Sequence, residues 1–305
     1  MSSNLRTLDL NLLKTLDALL DERSVTRAAQ RLSLTQPAVS AMLNRLREHF
    51  DDPLFTRGQH GINPTLRALA LAAPVKQILG DIDQLLQPQV FDAASSQMSL
   101  SIAATDYALS AVAVPFIAAL RQQAPGVQVS LQPVENDRLA VQMERGEIDM
   151  ALLTPDTTPA DLHARHLFDE QYVCLLRPDH PALRHGALSL DSFCALDHAL
   201  VSHSGREFRG VTDQALAAIG RQRRVTLAVN SFLVLPQILR NSDLIAVVPR
   251  RLAESADGLM QVASPVAVAG FSKTLVWHER SHRDPGHRWL RSLLFTTLGL
   301  DASTL

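Results

Sequence analysis

The chain predicts an α/β fold with a separate helical head, and three observations carry that prediction. The first ninety residues repeat apolar side chains at helical spacing, whereas from Leu100 onward short apolar runs alternate with helical stretches. At 305 residues the chain exceeds what one core usually organises. Its 46% hydrophobic content against 20% charge is enough to fill more than one core.

The head is built in order. Leu12, Leu13, Leu16, Leu19 and Leu20 share one face of a first helix. Ser24 stands as N-cap before a short helix over 25–32, where Ala28 and Ala29 permit close packing. The turn Ser33-Leu34-Thr35 follows, and Thr35 caps a third helix. Pro37 lies in its first turn, where a missing N–H costs little, and Val39, Leu43, Leu46 and Phe50 recur at helical spacing. Two short helices joined by three residues, behind a support helix, read as a helix-turn-helix. Residues 52–58 and 61–64 then punctuate a short hairpin, the expected wing.

A long helix begins near Thr65. Leu71, Val75, Ile78, Ile82 and Leu85 step by four and three, an a/d seam about two heptads long that predicts self-association. Pro74 inside it predicts a kink or a break. Pro88 ends it, and residues 92–97 read as a linker. Strands are expected at 100–104, 127–134, 148–153, 172–176, 199–201, 225–229, 244–248 and 274–277, with helices near 108–122, 139–145, 208–219 and 232–239. Such alternation implies mostly parallel sheets, and two small lobes can share these strands. The expected division is a winged head over 1–64, a linker helix and hinge over 65–97, and a domain over 98–305. Within that domain one lobe takes about 98–165 and 270–300, and the other about 166–269.

Charge narrows the function. The net charge is −2, yet between Arg23 and Arg67 seven arginines face only Glu48, Asp51 and Asp52, a local balance of +4. A basic module in an otherwise acidic chain suits phosphate contact. Projected at 100° per residue, the third helix turns Val39, Met42, Leu43, Leu46 and Phe50 inward. Gln36, Pro37, Ser40, Ala41 and Asn44 face outward, flanked by Arg45 and Arg47. Gln and Asn can bond adenine bidentately, Ser can donate or accept, and small apolar groups can touch thymine methyls. Arg31 and Arg57 suit phosphate better than bases. An amphipathic helix with a merely solvated stripe is the plain alternative, which the ordered helices and wing outweigh.

Other classes find little support. Cys174 and Cys194 are the only cysteines, so no disulfide framework is expected. Cys174 lies in an apolar strand and Cys194 lacks a cationic neighbour in sequence, so neither reads as a redox switch. Asp9, Lys14 and Asp17 interrupt the N-terminal apolar residues, no stretch reaches membrane-spanning length, and a cytoplasmic location is expected. His163 and His166, in an expected loop, and His278, His282 and His287 form no metal signature. Ser202-His203-Ser204-Gly205 has the wrong spacing for a nucleophile elbow. No enzyme, metal or cofactor is expected. The rival reading is a solute-binding or enzymatic α/β domain with an accessory helix-turn-helix.

Residues 8–67 resemble the N-terminal domain of LysR-type transcriptional regulators. The resemblance rests on Ala28-Ala-Gln-Arg-Leu-Ser-Leu-Thr-Gln-Pro-Ala-Val-Ser40, Leu46-Arg-Glu and Asp52-Pro-Leu-Phe-Thr-Arg57. It extends through Ile62-Asn-Pro-Thr-Leu-Arg-Ala68, Val173-Cys-Leu-Leu-Arg-Pro-Asp-His-Pro181, Asp243-Leu-Ile-Ala-Val-Val-Pro249 and Trp277-His-Glu-Arg, which look like the branch of nodulation and aromatic-degradation regulators. Leu66-Arg-Ala68 stands where many members carry Thr-Ala-Gly, a substitution common in that branch. The resemblance implies a winged helix-turn-helix with Gln36, Pro37 and Ser40 on bases, and a dimerising linker helix. It further implies two periplasmic-binding-protein-like lobes around a small-molecule effector, a homodimer or homotetramer, and promoter DNA and RNA polymerase as partners.

Ligands of two-lobed α/β domains sit where strand C-termini face helix N-termini. By that rule Thr105-Asp106-Tyr107, Thr154, Ser202-His203 and Asn230-Ser231-Phe232 line an effector site, with Arg250 or Arg251 available to a carboxylate. Thr105, Asp106 and Ser202 can equally be helix caps, Phe232 can be core, and the arginines can be surface residues. An aromatic or carboxylate metabolite is the expected effector.

Overall fold

Apolar residues three and four apart in the head leave its helices no stable arrangement except face to face. The computed structural model, which describes residues 9–58, 61–87, 90–185, 188–202 and 205–302, shows that arrangement. Helices α1 (Leu10–Glu22), α2 (Val25–Arg31) and α3 (Gln36–Phe50) precede a hairpin of β1 (Phe55–Gly58) and β2 (Gly61–Pro64). Asp9, Ser24 and Thr35 cap the three helices by accepting from Asn11, Arg27 and Ala38 N–H groups. Leu12, Leu16, Leu19, Val39, Leu43 and Leu46 meet in one buried cluster, joined by Leu54 and Phe55 from the root of the wing. Gly61 adopts a positive φ, and a Cβ there would meet the Arg23 carbonyl oxygen at 2.4 Å. That close approach lets Ile62 N–H donate to Arg23, tying the wing to the end of α1.

Helix α4 (Leu66–Leu86) continues unbroken through Pro74, so the expected break is absent. An interior proline costs about 3 kcal/mol locally. Packing on both sides of it prevails: Ala68, Leu71, Val75 and Leu79 join the head cluster. Lys76 adds an ion pair to Asp21 of α1 at 2.8 Å. Residues 1–89 form one compact unit and residues 90–305 another.

The second unit carries two five-stranded sheets among its described residues. Its strands are β3 (Ser99–Ala104), β4 (Gln128–Pro133), β5 (Met150–Leu153), β6 (His163–Glu170), β7 (Tyr172–Leu176), β8 (Asp197–Val201), β9 (Arg224–Val229), β10 (Ile245–Pro249), β11 (Met260–Val262) and β12 (Phe271–Trp277). Between them run α5 (Asp106–Ala108), a π-helical turn (Leu109–Ala113), α6 (Val114–Gln123), α7 (Leu139–Arg145), α8 (Leu190–Ala195), α9 (Val211–Ala218), α10 (Leu235–Arg240) and α11 (Arg250–Glu254). After the last strand come α12 (Glu279–His282) and α13 (Pro285–Thr297). The first sheet is ordered β4-β3-β5-β12-β6, the second β11-β7-β10-β8-β9.

Mostly parallel sheets were expected, but both are mixed. β3 runs parallel to β4 and β5, and β8 to β9 and β10; β12 runs antiparallel to β5 and β6, and β7 to β10 and β11. The cause is the double crossing between lobes. β12 enters the first sheet from the hinge side, where β5 ends, and β7 enters the second where β10 ends. Two strands escaped sequence reading, β6 and β11. Both lack an apolar run: β6 opens on His-Ala-Arg-His and β11 has only three residues, Met-Gln-Val. His163 and His166 therefore lie on β6, not in a loop, and the first lobe keeps residues through 170. The helix expected from 232 starts at Leu235 and that expected from 208 at Val211, leaving Ser231 and Phe232 in a turn.

Candidate nucleic-acid interface and effector cleft

On α3, Val39, Leu43 and Leu46 are buried while Gln36, Pro37, Ser40, Ala41, Asn44 and Arg45 are exposed. The side chains projected outward are thus the ones that face solvent. Thr35 is committed as N-cap, its hydroxyl accepting from Ala38 N–H. Asn44 Oδ1 accepts from Arg47, which leaves the amide N–H groups of Asn44 free to donate. Arg47 itself also donates to the Pro53 and Phe55 carbonyls, so it braces the wing against α3 and does not flank a groove. Arg57 is exposed on the wing strand β1.

Arg31 is exposed but already paired. It pairs with Asp21 at 2.9 Å, Asp17 at 3.4 Å and Glu22 at 3.7 Å, all on α1. Hydrogen bonds from Lys76 and Arg31 hold the Asp21 carboxyl below its ordinary range. A guanidinium surrounded by three carboxylates offers a phosphate little net field. Its partners lie nine to fourteen residues upstream, on a different helix, beyond what local charge counting weighs.

The proposed seam on α4 also divides. Val75 is 3% exposed and Leu71 packs beside it in the head, whereas Ile78 is 44% and Leu85 84% exposed, with Ile82 half-buried. Val75 is therefore core with Leu71 partly buried against it, and of the seam Ile78, Ile82 and Leu85 are left for another chain, beside the exposed Leu86.

In the second unit a cleft of about 490 Å³ opens where β3 and β8 end. Ala104, Thr105, Asp106, Pro133 and Val134 line it from the first lobe, and Val201, Ser202, Asn230, Ser231 and Phe232 from the second. Thr105 Oγ accepts from Ala108 N–H at 3.4 Å as the cap of α5. Asp106 Oδ1 accepts from Tyr107 N–H at 2.8 Å, and Oδ2 reaches across to accept from Phe232 N–H at 2.7 Å. Ser202 is 9% exposed and its hydroxyl has no hydrogen-bond partner among the described residues. A larger hollow of about 810 Å³, lined among others by Ser101, Asp149, Arg280 and His287, lies at the opposite end of β3. There Asp149 is already held by the Ser101 N–H and hydroxyl, and strand N-terminal ends are not where such sheets hold ligands.

Three expected effector residues lie outside the lining of this cleft. Tyr107 is 2% exposed, packs between Phe232 and Phe271, and donates its hydroxyl to the buried Glu170. Burial first, and the Glu170 contact second, push its phenol pKa strongly upward. Glu170 Oε1 also accepts from Gln171 and Arg250 N–H, so this carboxylate joins both lobes where the chain crosses. Arg251 stacks 4.0 Å over Phe168 and stands 3.8 Å from Glu170, in the same hinge. Thr154 follows β5, whose end lies beside that of β3, but it bonds Thr157 and Thr158 and is not among the residues lining the cleft. His203 lies outside the described residues. The Glu170 hinge was invisible in sequence, because nothing local distinguishes a buried glutamate at a strand end. Cys194 does have a cationic neighbour in space, Arg221, which also holds Asp191. Burial pushes the Cys174 thiol up to about 12.

A helix-turn-helix with a free polar reading face, joined to a two-lobed domain with a cleft at the strand ends, defines a DNA-binding regulator with a ligand-sensing domain. Comparison with known proteins agrees. Residues 10–69 match the bacterial regulatory helix-turn-helix protein of the lysR family, and residues 93–299 match the LysR substrate binding domain. The HTH-type transcriptional activator NagR of a Ralstonia species is 37% identical over 296 residues, 95% of this chain and 97% of that protein. Nodulation protein D 1 of Rhizobium meliloti (strain 1021) is 34% identical over 295 residues, 95% of this chain and 94% of that protein. The crystal structure of a probable transcriptional regulator from Pseudomonas aeruginosa, 34% identical, has a TM-score of 0.60 and covers 97% of this chain and 99% of its own. The chain belongs to the LysR family of transcriptional regulators, within the branch expected from its C-terminal motifs. It is a DNA-binding regulator with an effector-binding domain.

Proposed function

We propose that Gln36, Pro37, Ser40 and Asn44 read promoter bases in the major groove while Arg45 and Arg57 hold phosphates. The carrying observation is the exposed polar face of α3 backed by buried Val39, Leu43 and Leu46, which lets the helix enter a groove without exposing core. Small outward residues at Ser40 and Ala41 let its axis approach the base edges. Two copies joined through Ile78, Ile82 and Leu85, as a homodimer or a homotetramer, would present paired reading helices to a two-fold site. An aromatic effector bound in the cleft between the lobes would favour one lobe arrangement by its differential affinity, altering how the paired heads meet DNA and RNA polymerase. Acting on promoter DNA fits the cytoplasm as its location, and no described helix is long and apolar enough to cross a membrane.

The test is binding of Gln36→Ala and Ser40→Ala to a specific promoter fragment and to unrelated DNA across a salt series. Losing base contacts should weaken the specific site by roughly 5- to 150-fold and leave unrelated DNA and the salt slope nearly unchanged. Equal binding by parent and variants on the specific site sinks the assignment of α3.

A further inference from the structure

We propose that Asp106 makes the cleft selective for uncharged, hydroxyl- or amide-bearing ligands over carboxylates. The inference rests on the cleft being the effector site and goes on to name the class of ligand. Backbone N–H groups at a helix start, or in a turn before a helix, are the usual receptors for a ligand anion. Here Asp106 already fills that place. One of its oxygens takes the Tyr107 N–H at 2.8 Å, and the other takes the Phe232 N–H of the opposite lobe at 2.7 Å. The protein carries its own carboxylate where a ligand's would sit.

A second carboxylate would meet that fixed charge inside a partly closed cleft, where water screens it poorly. No arginine, lysine or histidine stands among the described lining residues to offset the repulsion. What the cleft offers instead is neutral. The Ser202 hydroxyl is nine-tenths buried and has no partner among the described residues, so a ligand O–H or amide that bonds it relieves an unmet polar group. Thr105 adds a second hydroxyl, and Val134, Val201 and Phe232 add apolar surface for a ring. Asp106 therefore works twice, latching the lobes and filtering ligands by charge.

The experiment uses the full-length protein and calorimetric titration with pairs that differ in charge: benzyl alcohol against benzoate, and 4-hydroxybenzamide against 4-hydroxybenzoate. In the parent the neutral member of each pair should bind at least tenfold tighter. In Asp106→Asn that ratio should collapse towards one or invert. Equal or tighter binding of the anions by the parent overturns the proposal, as does a ratio unchanged in Asp106→Asn or the failure of both neutral probes to bind. Should Asp106→Asn not fold, the ranking in the parent alone decides. Ser202→Trp, which fills the cleft, and the milder Ser202→Ala separate the two levels. If both leave neutral binding intact, the ligand lies elsewhere and the cleft reading fails, whatever the charge preference.

Discussion

His198 illustrates how a single side chain can depend on partners that the sequence keeps apart. It is fully buried on β8, its Nε2–H donates to the Phe193 carbonyl at 2.8 Å, and its Nδ1 faces Arg223 at 3.3 Å. Protonating Nδ1 would set a second cation against that guanidinium inside the core. Burial, with Arg223 adding to it, pushes the His198 pKa down to about 4. In the unfolded chain the ring titrates near 6.5. Between those values the unfolded state holds more protons, so stability falls as pH drops through that window. From pH 7 to pH 5 the parent should lose about 2 kcal/mol more than His198→Gln. Urea titrations at both pH values check this, and identical losses would mean that His198 is not buried in its neutral form. Tyr107, Arg31 and Arg251 teach the same lesson. Each was placed by its position along the chain, and each is held by residues far away in sequence, Glu170, Asp17 and Phe168.

At the scale of elements, α3 and α4 contrast. The inward and outward faces of α3 were legible because a 3.6-residue period and a capped start leave one consistent burial. On α4 the period was equally clear, yet one apolar stripe serves two ends: its first half faces the head and its second half is exposed. Charge substitution should separate them. Ile78→Glu with Leu85→Glu should lower the sedimenting mass while the head keeps its helicity, since both side chains are accessible. Val75→Glu should instead melt the head, because a carboxylate would enter a cluster with no cation to receive it. An unchanged mass for the double variant removes α4 from the assembly. The strands β6 and β11 were missed for a different reason. One opens on charged and polar residues and the other is three residues long, so pairing alone makes them strands.

For the whole molecule, the apolar cores sort by unit. The head cluster uses residues from Leu12 to Leu79, and the clusters of the second unit use residues beyond 90. Separate cores predict two calorimetric transitions, of which a cleft ligand raises only the one belonging to the second unit. A single transition displaced as a whole by ligand would contradict that independence. The sequence by itself determined the helix-turn-helix, the wing, the reading face and the α/β alternation, because these follow from local periodicity, caps and turn residues. Tertiary structure alone decided the mixed sheets, the Glu170 hinge, the neutralised Arg31 and the cleft that joins Asp106 to Phe232. Those depend on which distant segments meet: helix packing in the head for Arg31, and chain crossings between the lobes for the rest.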